Sequence, residues 1–167
     1  MPAKNPKEVF AMLLSDARSN TERGTKMYRE ISQVAQNPDV KEALEARAFV
    51  SEKNLETLDK CFEMIGEKPA KLSGRLHEVF AEDFKRELAE IQSPVARHIY
   101  VLAKGIHLAH LRFAEYAALI AAADATGHYG VGVLIESVLA DKLAFLERDR
   151  RLIRHLIEGR IEERLAA

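Results

Sequence analysis

Apolar residues return every three or four positions along most of this chain, and the runs end at a few sharply marked breaks. In the first run Phe10, Leu13, Ala17, Thr21, Gly24, Met27, Tyr28, Ile31 and Val34 share one face. In the second, Val40, Leu44, Arg47, Ser51, Leu55, Leu58, Phe62 and Ile65 do so. A shorter third run spans about Leu76 to Ile91, through Val79, Phe80, Phe84 and Leu88. The fourth passes through Ile99, Leu102, Ile106, Ala109, Phe113, Tyr116 and Ile120. The fifth passes through Val131, Leu134, Val138, Asp141, Phe145, Leu152 and Leu156. Such spacing makes a narrow apolar stripe along an α-helix. Nothing alternates with the period of two that a strand needs, and no heptad array is long enough for a fibrous coiled coil.

The breaks carry helix punctuation. Asn5-Pro6, Asn37-Pro38-Asp39 and Ser93-Pro94 each place a capping side chain before a proline suited to the first helical turn. Gly66 to Pro69 reads as a helix stop, and Gly127 to Gly132 as the last interruption. Four long helices with short connections form an antiparallel bundle, and the shorter segment bridges its middle. The expectation is an all-α, ferritin-like antiparallel four-helix bundle with a shorter fifth helix in the crossover, filling residues 1–167 as a single domain.

Composition narrows the functional classes. Twenty-five basic against 26 acidic residues leave a net charge of −1, which argues against a nucleic-acid binder. The longest apolar run, Tyr116 to Ala123, is far too short to span a bilayer. The first seven residues lack the apolar core of a signal peptide, so a cytoplasmic location is expected. The single cysteine, Cys61, lies between Leu58 and Phe62 and reads as a small core residue rather than a reactive thiol. Glycine-rich phosphate loops and nucleophile elbows are absent. The basic stretch from Arg148 to His155 is diluted by Glu147 and Asp149 and reads as a solvated face.

Polar residues interrupt the apolar stripes near their middles. They are Asn20, Thr21 and Glu22 in the first run, and Arg47, Ser51 and Asn54 in the second. His107, His110 and Arg112 follow in the fourth, and Asp141 and Lys142 in the fifth. Buried polar groups are costly unless paired, so coincident interruptions suggest a shared network. Di-metal carboxylate bundles place their ligands at such positions, but the Glu-x-x-His pairs they use are missing. His107 and His110 are three apart, close enough to grip one metal, with interface histidines as the plainer reading. Asp141, spaced three and four from Val138 and Phe145, is expected to point inward and to need a partner. Arg47 and Arg112 are the inward cations available to it, and a metal is the other possibility.

The end of the second run, Leu58-Asp-Lys-Cys-Phe-Glu-Met-Ile-Gly-Glu-Lys-Pro69, resembles the YciF-like (YciE/YciF) ferritin-like family of small bacterial stress-associated proteins. The Asn37 to Lys41 start of that run and His110 to Tyr116 in the fourth are similar to the same family. The resemblance implies a bundle that is often dimeric, with a di-iron or di-manganese centre and no firmly assigned reaction. It also places residues. Ala109 and Arg112 stand where the family has two glutamates, and Val50 near another ligand glutamate. Asn54 follows in place of glutamine or histidine. Glu22 and Asp141 match the carboxylates of the first and last helices.

Two functional expectations follow. One is a non-enzymatic structural or stress-associated protein with a degenerate di-metal site and no cofactor. Its buried polar network is Arg47, Asn54, Arg112 and Asp141, with Arg112 pairing Asp141, Glu22 or both. The other is a metalloprotein holding iron or manganese through Glu22, His107, His110 and Asp141, with ferroxidase or peroxide-consuming chemistry. A homodimer is the expected assembly, without nucleic acid or membrane. A helical module for an apolar ligand, with room made by Gly24 and Gly105, is the third and least favoured reading.

Overall fold

The computed structural model describes residues 3–71 and 75–165. Five helices follow one another: α1 (Pro6–Val34), α2 (Pro38–Ile65), α3 (Arg75–Glu90), α4 (Pro94–Ala125) and α5 (Tyr129–Leu165). Among the described residues there is no strand.

The capping chemistry is as the sequence signals it. Asn5 accepts from the Glu8 N–H, Asn37 from those of Asp39 and Val40, and Ser93 from that of Ala96. Each satisfies donors that the first helical turn leaves open. Gly66 closes α2 with φ +70°, a left-handed conformation that glycine adopts without Cβ strain. The loop after α2 is tied back to α1, where the Ser15 hydroxyl accepts the Ala70 N–H at 2.9 Å.

Helices α1 and α2 form one hairpin and α4 and α5 another. The hairpins meet through α2 against α5 and α1 against α4, so the order around the bundle is α1, α2, α5, α4. The start of α1 lies at the end where α4 hands over to α5, since Phe10 stacks on His128 with centroids 5.2 Å apart. At the opposite end the starts of α2 and α4 meet, through Val40, Leu44, Val101 and Leu102. The chain therefore travels the bundle's length between α2 and α4, and α3 lies along that path against α4 and α1. This is a ferritin-like bundle with its short helix in the crossover.

The apolar interior forms two separate clusters. One holds Phe10, Leu14, Leu58, Cys61, Tyr116, Leu119, Ile135 and Val138. The other holds Val40, Leu44, Phe84, Val101 and Leu102. Each fully buried aliphatic or aromatic side chain contributes about 1.5–3 kcal/mol. Cys61 is fully buried in the first cluster, and burial pushes its thiol up to about 11, the behaviour of an inert core residue.

Two stripes differ in phase from the periodicity reading. On α4 the buried line is Leu102, Ala109, Arg112, Tyr116, Leu119 and Ala123, while Phe113 is 37% exposed. On α5 it is Val131, Ile135, Val138, Leu146 and Asp149. Spacings of three and four fit both phases, because apolar residues stand side by side at Leu134-Ile135, Leu119-Ile120 and Phe145-Leu146.

A polar layer at the bundle centre as candidate functional site

Between the two apolar clusters the inward positions change character. Helix α1 supplies Thr21 and Thr25, α2 supplies Arg47, Ser51 and Asn54, α4 supplies Arg112, and α5 supplies Asp149; all are buried. Seven buried polar or charged groups on four helices need partners, and two networks provide most of them.

The first centres on Arg112. Its guanidinium donates to the Ala17 carbonyl at 2.9 Å, to the Tyr116 hydroxyl at 3.0 Å, to the Thr21 hydroxyl and to the Glu115 carboxylate. Thr21 gives its own hydrogen to the Ala17 carbonyl at 2.7 Å, so the Tyr116 O–H, 2.7 Å away, donates to Thr21. Asn20 donates to Glu115 at 3.0 Å, holding that carboxylate over the Arg112 head. Burial raises the Tyr116 hydroxyl's pKa, which keeps it a neutral donor.

The second network is an ion pair. Arg47 meets Asp149 at 2.9 Å, with both side chains almost wholly buried. The guanidinium also lies over the Tyr28 ring at 5.1 Å and the Phe145 ring at 5.5 Å. Burial raises the Asp149 carboxyl, and the Arg47 charge opposes the rise. Gly105 makes room for the pair: a Cβ there would stand 3.2 Å from Arg47 Nη1 and 3.4 Å from Asp149 Oδ2. Gly105 therefore serves close approach, not an apolar ligand pocket. Thr25 and Ser51 share a hydroxyl bond of 2.7 Å across α1 and α2.

A cavity of ≈ 30 Å³ lies in this layer, and Arg47, Val50, Ser51, Asn54, Ala109, Arg112 and Lys142 are among the residues that line it. The resemblance names Val50, Asn54, Ala109 and Arg112 as positions of the family's metal site. The fold brings all four to one cavity, which carries cations and neutral groups in place of carboxylates. Lys142 sits 4.9 Å from the Tyr116 ring centroid, and burial with Arg112 and Arg47 nearby pushes its amine down to about 7.

The expected partners sort unevenly. Arg47, Asn54 and Arg112 are in the layer. Asp141 is exposed on the outer side of α5, so it joins neither Arg47 nor Arg112. The α5 phase explains this: the inward heptad positions are Val138, Lys142, Phe145 and Asp149, one residue on from Asp141. Glu22 lies at the surface between Arg18 and Lys26, at 3.5 and 3.2 Å, and does not pair with Arg112. His107 and His110 are exposed, with His107 edge-on to Phe80. The four residues proposed as metal ligands thus do not meet. Among the described residues no three His, Cys, Asp or Glu side chains gather at one point. A di-iron or di-manganese centre does not fit this donor set, because the central cavity offers a dication two guanidiniums and an amine.

Sequence reading missed Asp149 and Glu115 as partners, and His77. Asp149 is flanked by Arg148 and Arg150, which disguised an inward carboxylate as part of a solvated run. Glu115 is three residues after Arg112, a spacing that could have signalled the pair. His77 of α3 leans toward Arg112 and Arg23; burial and those charges hold it down at about 4. No helix among the described residues is long and apolar enough to cross a membrane.

Comparison with known proteins bears on the family and the fold. The family described as Domain of unknown function (DUF892) matches residues 5–166, and the chain belongs to it. The chain is similar to the Escherichia coli stress protein YciF, with TM-score 0.87 and 20% identity over 93% of this chain and 99% of that one. It is similar to YcfI of Rhodopseudomonas palustris, with TM-score 0.84 and 20% identity over 88% and 94%. A protein of Xanthomonas campestris superposes with TM-score 0.72 and 19% identity over 96% and 99%. At these identities the likeness speaks for the shared fold. No functionally curated protein matches the chain.

Proposed function

We propose that this member of the YciF-like DUF892 family is a non-enzymatic structural or stress-associated protein whose di-metal site is degenerate. The observation that carries the reading is the Arg112, Arg47 and Lys142 side chains lining the cavity at the four-helix centre. Removing a dication from a buried carboxylate cluster would leave unpaired negative charge, a cost of several kcal/mol. Here fixed organic cations stand in that place, each arginine already holding a carboxylate.

Two proteins of similar fold are described in terms that agree with this reading. YciF of Escherichia coli is called a stress protein, and YcfI of Rhodopseudomonas palustris has a provisional structural role. We extend those roles to this chain, together with a cytoplasmic location and a homodimer as the working unit. Exposed Phe49, Met64, Tyr129 and Val133 supply apolar surface for self-association.

The test is thermal unfolding with chelator, with Mn(II) and with Fe(II) under anaerobic conditions. A ligand that binds only the folded state raises Tm in proportion to its saturation. The reading predicts one Tm under all three conditions and no consumption of peroxide above free metal. A metal-dependent rise in Tm accompanied by turnover would replace it with the ferroxidase or peroxide-consuming alternative.

A further inference from the structure

Helix α3 is held unevenly along its length. Its second half is anchored. Phe84 is the one buried side chain among the 16 residues of the helix. It packs with Val101 and Leu102 and stacks on the Tyr100 ring, with centroids 5.7 Å apart. Leu88 leans on the same cluster. Glu87 accepts from the Tyr100 hydroxyl and meets Lys104 at 2.8 Å. Residues 91–93 then tie this end of α3 directly to α4.

The first half has no such anchor. Leu76 and Val79 are 66% and 46% exposed, so they remove little apolar area from water. Phe80 is half-buried and lies edge-on to the exposed His107. Glu78 reaches Arg23 of α1 at 3.4 Å, but its side chain is 57% exposed, and solvent screens such a pair.

What this half does bury is polar and unanswered. His77 lies beside Arg112 of α4 and Arg23 of α1, and its Nε2 is shut off from solvent without a hydrogen-bond partner. On the same α1–α4 seam Asn20 bridges to Glu115 at 3.0 Å, and the Asn20 Oδ1 is likewise buried without a partner. A buried polar atom without a partner is costly, and it recovers that cost when water reaches it. Little burial therefore favours docking of the first half, and the orphaned nitrogen opposes it. Segments with that balance open locally while the rest of a fold stays closed.

We propose that residues Arg75 to Glu82 form a flap, hinged at the Phe84 anchor, that opens reversibly while the four long helices stay folded. Opening uncovers the seam where Asn20, Glu115 and Arg112 meet. The flap thus gates the access of water and small solutes to the polar layer from the α3 side.

The experiment is hydrogen exchange of the full chain near pH 7, read by mass spectrometry at the level of short peptides. Amides 79–82 are expected to exchange about tenfold or more faster than amides 85–88, with α1 and α4 around Asn20 and Arg112 still protected. His77→Phe keeps a ring in place and removes the orphaned nitrogen. It is expected to slow exchange at 79–82 by about tenfold, the effect of relieving one unpaired buried group. Phe84→Ala is expected to bring 85–88 up to the rate of the first half. Equal protection in both halves of α3, or exchange of α3 only together with all the other helices, would overturn the flap. Simple fraying of a helix end does not respond to His77, so an unchanged or faster rate in His77→Phe would overturn it as well. The comparison of the two halves uses the unaltered chain, and it stands even if a variant folds poorly.

Discussion

The two ends of the bundle and its middle are built on different principles. Around Phe10, Leu14, Leu58, Cys61, Leu119 and Ile135 the interior is dry and apolar, and stability there comes from area removed from water. A few turns away, Thr21, Thr25, Arg47, Ser51, Asn54, Arg112 and Asp149 occupy equivalent inward positions. Their burial is tolerated because nearly every charge has a named partner. The apolar region tolerates any residue of suitable volume and shape. The polar layer tolerates only matched changes, because removing one partner strands another in low dielectric.

The sharpest way to break the comparison is at the Arg47–Asp149 pair. Arg47→Met leaves the Asp149 carboxylate buried and unpaired, and is expected to destabilise the protein by about 3–5 kcal/mol in denaturant unfolding. The double change Arg47→Met with Asp149→Leu is expected to recover most of that loss. A double variant as unstable as the single would show that the layer depends on something besides charge matching. The apolar region follows the opposite rule. Leu58→Ala is expected to lose about 2–5 kcal/mol, and no second substitution among its polar neighbours is expected to restore it.

Lys142 separates the two regions by pH. Its amine titrates near 10.4 in the unfolded chain. In the fold it is pushed down to about 7. Between these values the unfolded chain binds the extra proton, so stability is expected to rise from pH 7 to pH 10. Lys142→Met is expected to flatten that slope and to stabilise the protein by about 1–2 kcal/mol at pH 7. A variant less stable than the parent at both pH values would mean that Lys142 is anchored by a partner.

Much of the fold was legible in the chain. Asn5, Asn37 and Ser93 beside their prolines, and Gly66 after α2, mark helix boundaries through local chemistry that tertiary packing does not override. The polar layer was legible where a charged residue interrupted an unambiguous stripe, as Arg47 does between Leu44 and Leu58. It was misread on α5. There two apolar phases one residue apart fit equally well, and choosing between them meant choosing which of Asp141 and Lys142 to bury. The carboxylate was the natural choice beside inward arginines, yet Ile135 and Asp149 set the phase that turns Lys142 inward. Pairing across α2 and α5 depends on helix rotation, which periodicity reports only to within a residue.

The central claim is that this bundle's middle is occupied by side-chain cations where a ferritin-like metal centre would lie. The most direct measurement is elemental analysis of untagged protein after anaerobic incubation with Fe(II) and Mn(II) and desalting. The account predicts less than about a tenth of an equivalent of either metal per chain. One or two equivalents, lost on substituting Asn54 or Lys142 beside the cavity, would contradict it.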